Sequence, residues 1–134
     1  MKRALLAFAS AAVLLCSCGG GEREAAADGG TPSEIVELAY SRLLKGDYDG
    51  YLKCVESCDS IPERYRAALV NVLKQNAANE RKERGGMVSA KAIGGETNPD
   101  GSWSVVRVDV AYGDSTREEI VVQTVKVAGK WRLK

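Results

Sequence analysis

The 134-residue chain contains no histidine. That absence removes imidazole-based acid–base catalysis, Ser-His-Asp and Cys-His triads, and most catalytic zinc sites. No run of about 20 apolar residues, the length that spans a bilayer as a helix, is present. No block of like charge occurs either, so the electrostatic footprint of a nucleic-acid binder is missing. The 19 basic residues nearly balance the 18 acidic ones. Four cysteines are present, but Cys54 and Cys58 lack the C-x-x-C redox spacing, and two cysteines without histidine make an incomplete metal site. Nothing in the composition implies a cofactor or a resident metal.

What the chain does have begins at its N-terminus. Lys2 and Arg3 precede an apolar segment from Ala4 to Leu15, which has the length of a signal-peptide h-region. Leu15-Cys16-Ser17-Cys18 follows, and it resembles the lipobox of bacterial lipoproteins. Signal peptidase requires small residues before its cut. Ser17 before Cys18 satisfies this and Leu15 before Cys16 does not, so Cys18 is the expected lipid acceptor. Simple secretion with cleavage near Ala25-Ala26-Ala27 is the alternative. Two or three acyl chains, at about 0.8 kcal/mol per buried CH₂, would hold the protein on a bilayer. The reading divides the chain into a signal peptide over residues 1–17, a lipidated tether over 18–30 and a single domain over 31–134. Glu22 and Glu24 resemble the acidic export signal of Bacteroidetes-type lipoproteins, with Arg23 interrupting it. Localisation is therefore the cell envelope, an outer membrane by expectation, with the membrane face open.

The domain begins at Thr31-Pro32-Ser33-Glu34, which places Thr31 at N-cap, Pro32 at N1 and Glu34 at N3 of a helix as a capping box. Ile35, Val36, Leu38, Ala39, Tyr40, Leu43 and Leu44 continue it as an apolar stripe ending near Lys45. A second helix is expected from Tyr48 to about Glu56. A third starts with Ser60 as N-cap and runs to about Arg84, burying Tyr65, Ala68, Leu69, Val72 and Leu73. The period then changes to 2. Strands are expected over Met87–Ile93, Trp103–Tyr112, Arg117–Val127 and Trp131–Lys134, with a turn at Asn98-Pro99-Asp100-Gly101. Val106, Val108, Val110 and Tyr112 share one face. The phase of Arg117–Val127 conflicts along its length, and a bulge near Gln123 would reconcile it. Three helices followed by an antiparallel meander make an α+β fold.

Thr31-Pro32-Ser33-Glu34, Leu43-Leu44-Lys45-Gly46-Asp47-Tyr48, the paired Val106–Tyr112 and Glu118–Val127 segments, and Gly129-Lys130-Trp131-Arg132-Leu133 together resemble the nuclear-transport-factor-two-like (cystatin-like) superfamily. Within it, the chain is similar to bacterial lipoproteins built on a domain of unknown function. The resemblance implies three helices on a curled, cone-like, four-stranded antiparallel sheet. It also implies a pocket, which ketosteroid isomerases use for catalysis and other relatives use for binding or leave closed.

Tyr40, Tyr65, Val106, Val108, Val110 and Tyr112 are the candidate pocket lining. Ketosteroid-isomerase chemistry would need a carboxylate facing a tyrosine, but Asp109 alternates with the valine face and should point away, as a cross-strand partner of other charges. Cys54 and Cys58 can form a disulfide, remain two thiols, or hold a metal. Basic residues of the third helix are interspersed with Glu63, Glu80 and Glu83 and read as surface pairs. Trp103 and Trp131 should pack at strand ends. The expected function is a non-catalytic binding or structural module of a membrane-anchored lipoprotein, its partners the bilayer and either a protein or a small apolar ligand. A small pocket enzyme of isomerase or dehydratase type is the alternative. A third reading is self-association through an exposed sheet face.

Overall fold

A computed structural model describes residues 30–134. The proposed signal peptide, the lipid acceptor Cys18 and nearly all of the tether lie outside the described residues. Helix α1 spans Pro32–Leu44, α2 Tyr48–Leu52 and α3 Glu63–Arg84, with a 3₁₀ turn at Glu56–Cys58 between α2 and α3. Strands β1 (Met87–Thr97), β2 (Trp103–Tyr112), β3 (Arg117–Val127) and β4 (Lys130–Leu133) follow. They form one antiparallel sheet in the order β1-β2-β3-β4. The architecture is α+β. Among the described residues, no helix is long and apolar enough to cross a membrane.

Helix α1 starts as its residues dictate. The Thr31 hydroxyl accepts from the Glu34 amide at 3.1 Å, with Pro32 in the first turn. The reciprocal half of the capping box is not formed, since the buried Glu34 Oε1 has no hydrogen-bond partner. Ile35, Val36 and Ala39 are buried against the sheet. The second helix is shorter than its pattern suggests. Asp47 caps it by accepting from the Gly50 amide at 3.0 Å, and it ends at Leu52. Beyond it Val55 pairs in parallel with Leu133, and the Leu133 amide donates to the Cys54 carbonyl at 2.8 Å. Pro62, not Ser60, occupies the N-cap of α3.

The core lies between α1 and the inner sheet face. Val106, Val108 and Val110 are at most 1% exposed, and Val36 is fully buried against them. Burying each such side chain is worth roughly 1.5–3 kcal/mol. Trp131 and Leu133 of β4 close this layer. At its far end Ser104 and Thr124 replace aliphatic residues, and both are satisfied. The Thr124 hydroxyl donates to the Ser104 carbonyl and the Ser104 hydroxyl to the Glu96 carbonyl.

Strand register corrects two expectations. β3 pairs with β2 without interruption from Ala111↔Arg117 to Trp103↔Val125, so no bulge exists at Gln123. Ile120, Val122 and Thr124 face the core side, while Val121 and Val127 are exposed on the outer face. The irregularities lie in β1, between Met87 and Ser89 and between Ala92 and Gly94. They carry Val88 and Ile93 out to solvent and let β1 continue four residues past its expected end.

Candidate functional site

Helix α3 is 22 residues long and none of them is buried. Leu69, Val70, Leu73, Ala77, Glu80 and Arg84 are half-buried at helical spacing and define its inward stripe. Tyr65 is 55% exposed and Val72 50%, so neither belongs to the core.

The helix is fastened at its ends. At the start, the Arg66 guanidinium donates to the Cys58 carbonyl at 3.0 Å and pairs with Asp49 at 3.5 Å. At the end, Gly85 adopts the left-handed conformation that caps the helix, and its own amide and that of Gly86 reach back to the Arg81 and Glu80 carbonyls. The Gly113 amide donates to the Gly86 carbonyl at 2.8 Å and the Asp114 amide to the Arg84 carbonyl at 2.9 Å. These bonds tie the helix end to the β2–β3 turn. Between the two anchorages the helix stands off the sheet.

The gap is a cleft of about 630 Å³, within the range of small-molecule sites. Leu43 and Tyr40 of α1, Leu73 and Ala77 of α3, Met87 of β1, and Val110 and Ile120 of the sheet form its apolar interior. Lys45, Asn76, Glu80 and Arg81 add polar groups. Among the described residues, no serine, threonine, cysteine or aspartate lines it.

Tyr40, Tyr48 and Tyr112 bring phenols to it, and two of these are held by neighbouring side chains. The Tyr40 ring meets Tyr51 edge-on at 6.3 Å. Burial, then the neighbouring Tyr51 and Tyr112, push the Tyr40 hydroxyl up to about 12, so it is a neutral donor at all ordinary pH. Tyr112 lies under the Arg84 guanidinium, 3.8 Å from the ring centroid, a cation–π contact. The Tyr112 hydroxyl donates to Glu118 at 3.1 Å, and Arg84 donates to the same oxygen at 2.6 Å. Those two hydrogen bonds, Arg84 first, hold the Glu118 carboxyl below its usual range. Its carboxylate is thereby engaged by two donors.

The candidate lining residues divide. Tyr40, Val110 and Tyr112 meet at the cleft. Val106 and Val108 belong to the closed core farther along the same face, because α1 and β4 cover that part of the sheet. Tyr65 points to solvent, because the first turns of α3 have nothing packed over that side. Asp109 does lie on the outer face, bonded to Arg117. Cys54 and Cys58 are buried thiols with no disulfide between them, and they do not line the cleft. Among the described residues, no group of three or more cysteines or carboxylates could hold a metal. Trp131 packs in the core as expected, while Trp103 is 47% exposed. Leu43, Leu73, Ala77, Glu80, Arg81, Met87 and Ile120 are lining residues that the sequence reading misses. The signal for the helix residues is the i, i+3, i+4 stripe of α3, once it faces a gap rather than a core.

No family model matches the chain, and no curated protein matches it. A solved structure does: a Campylobacter jejuni protein described as a candidate NTF2-like transpeptidase. The two share 18% sequence identity with a TM-score of 0.60, over 77% of this chain and 96% of the other. At that identity the likeness speaks for the fold. With its curled antiparallel sheet, its helices on one face and the cleft between them, the chain has the NTF2-like fold.

Proposed function

We propose that the domain is a non-catalytic binding module, carried on the cell envelope by a lipid at Cys18, that takes a small apolar or amphipathic ligand in the cleft under α3. The observation that carries this reading is the standing-off of α3 from the sheet, which leaves an apolar interior open beside a tyrosine donor. A ligand's apolar body would lie on Leu43, Ala77, Met87 and Ile120. Its polar end would meet the Tyr40 hydroxyl or the charged residues Lys45, Glu80 and Arg81. The N-terminal leader supports the envelope location through Leu15-Cys16-Ser17-Cys18.

Neither Asp109 nor Glu118 is placed as the base of an isomerase-type pocket. Asp109 faces the opposite side of the sheet, and Glu118 is engaged by Arg84 and Tyr112. Transpeptidation, named for the Campylobacter protein, needs an activated nucleophile, and among the described residues no serine, threonine or cysteine lines the cleft.

Ala77→Trp tests the site by filling it from the helix side. A solvatochromic naphthalene sulfonate probe should brighten with the wild-type protein and be displaced by medium-chain fatty acids. Ala77→Trp should abolish that signal with an unchanged circular dichroism spectrum. Equal probe binding by the variant would place the ligand elsewhere.

A further inference from the structure

The direction of α1 says from which end of the domain the N-terminal segment leaves. The Ala92 amide donates to Glu37 Oε2 at 3.0 Å, while Tyr40, Leu43 and Leu44 meet Met87 and Tyr112 at the cleft. Helix α1 therefore runs antiparallel to β1, and its start at Thr31 lies toward Gly95 and Thr97. There Thr97 pairs with Ser104, and the Asn98 amide donates to the Trp103 carbonyl at 3.0 Å. The cleft sits at the opposite end. From Cys18 to Thr31 the chain has thirteen peptide steps, about 45 Å when fully extended. An anchor at Cys18 thus holds the Trp103 end of the domain nearest the lipid.

That same end is apolar on the outer sheet face, which no element of the described residues covers. Trp103 is 47% exposed, Val121 62% and Val127 36%, with Val105 and Val125 half-buried between them. An indole and four valines on one open face exceed the single scattered apolar residues that need no explanation. Arg107, beside Val121, pairs with Glu119 at 3.9 Å and marks where the charged half of the face begins. Lys126 and Lys130 bracket the β3–β4 turn next to Val127. Both are exposed, and neither takes part in an ion pair among the described residues. Glu96 and Asp100 lie on the β1 side of the patch.

We infer that this end of the outer face rests on a phospholipid bilayer, with the β3–β4 turn leading. The Trp103 indole, apolar in body and polar at its N–H, occupies the interfacial layer that suits tryptophan. Val121, Val125 and Val127 lie against the upper acyl chains. Lys126 and Lys130 extend their stems along the surface and set their ammonium groups among headgroup phosphates. Glu96 and Asp100 keep the β1 edge tilted off those phosphates. The inference rests on the anchor at Cys18 proposed above, which makes docking intramolecular, so that a face of modest affinity suffices. The cleft, on the other face and at the other end, stays clear of the lipid and open to its ligand.

Trp103 is its own probe, since the other tryptophan, Trp131, is buried in the core. The test uses the chain from residue 18 with Cys18→Ser, so that no anchor contributes, and vesicles of phosphatidylethanolamine and phosphatidylglycerol. Vesicles should shift tryptophan emission to the blue, and lipid brominated in its acyl chains should quench it. Trp103→Phe should remove both effects. Val125→Asp, with unchanged circular dichroism, should weaken vesicle binding by about tenfold, and Lys130→Glu by about fivefold. No binding at millimolar lipid overturns the inference. So does binding that leaves Trp103 unquenched or is indifferent to both variants, and so does a lipid-free dimer that already buries Trp103. Labelling of Cys18 by an alkyne-tagged palmitate in cells reads the anchor separately. A labelled Cys18 without vesicle binding overturns the docking face and leaves the anchor standing.

Discussion

Gly85 and Gly113 lie backbone against backbone, one ending α3 and the other opening the β2–β3 turn. A Cβ on Gly113 would stand 2.5 Å from the Gly85 carbonyl oxygen, and one on Gly85 would stand 2.9 Å from the Gly113 carbonyl carbon. This contact fixes where the C-terminal end of α3 sits, and hence how wide the cleft is at that end. Gly113→Ala should cost about 1–3 kcal/mol as an overpacking strain. Gly85→Ala adds the left-handed backbone term of about 1–2 kcal/mol, since φ is +81°. Gly46 has φ +80° but open space around its Cβ position, so Gly46→Ala should show the backbone term alone. Urea unfolding of the three variants checks the order, with Gly85→Ala the least stable.

Arg132 makes the corresponding link at the other end of the molecule. Its guanidinium holds Asp59 through two bonds, 2.6 and 3.1 Å, and donates to the Lys53 carbonyl at 2.7 Å. It thereby pins the α2–α3 connection to β4. Arg132→Ala should lose about 1–3 kcal/mol, as expected for charge-assisted bonds. Arg132→Lys should recover only part of it, because an ammonium cannot reproduce the fork. Thermal denaturation of both variants provides the comparison.

Much of the architecture is legible in the residues, and the reasons differ by element. Helix α1 and strand β2 read correctly because each has one covered face, so burial and sequence period coincide. Helix α3 misleads because Tyr65 and Val72 have the spacing of core residues, yet the helix is held only at its ends. β3 misleads because Val121 and Val127 decorate an open outer face, so apolar residues appear on both sides of one regular strand. The β1 irregularities are invisible in sequence, as Val88 and Ile93 look like ordinary inward positions. The cleft itself depends on the distance between α3 and the sheet, which no local pattern encodes.

Acid should loosen the α3 anchorage. Glu118 titrates below its ordinary value when folded, because Arg84 and Tyr112 bond its carboxylate. A depressed carboxyl contributes stability that is present above the unfolded pKa, near 4.3, and is lost as pH falls through the lower folded value. Asp100 and Asp114 are lowered too, first by the hydroxyls of Ser102 and Thr116. Stability should therefore decline from about pH 4.5 downward. Glu118→Gln should flatten part of that decline, as followed by denaturant midpoints across the acid range.

Tyr40 should be among the last phenols to ionise. Its folded pKa of about 12 exceeds the ordinary 10.0, so the neutral hydroxyl contributes stability below pH 10 that is lost between 10 and 12. Phenolate absorbance during an alkaline titration should show a late component that Tyr40→Phe removes. Ionisation complete by pH 11 would contradict the buried placement of this hydroxyl.

The thiols offer a check on the α2 region. Cys54 is 3% exposed and Cys58 7%. Peptides carrying them should take up iodoacetamide slowly in the native protein and fully in denaturant, without prior reduction. Peptides that stay unlabelled in denaturant would mean a bridge and would contradict the thiol state.

The central claim is that the cleft under α3 is the ligand site, and chemical-shift mapping tests it most directly. Titrating dodecanoate into the isotope-labelled protein should move the resonances of Leu43, Ala77, Met87 and Ile120 in a saturable way, with Trp103 and Val121 unmoved. Shifts confined to the outer sheet face, or none at all, would contradict it.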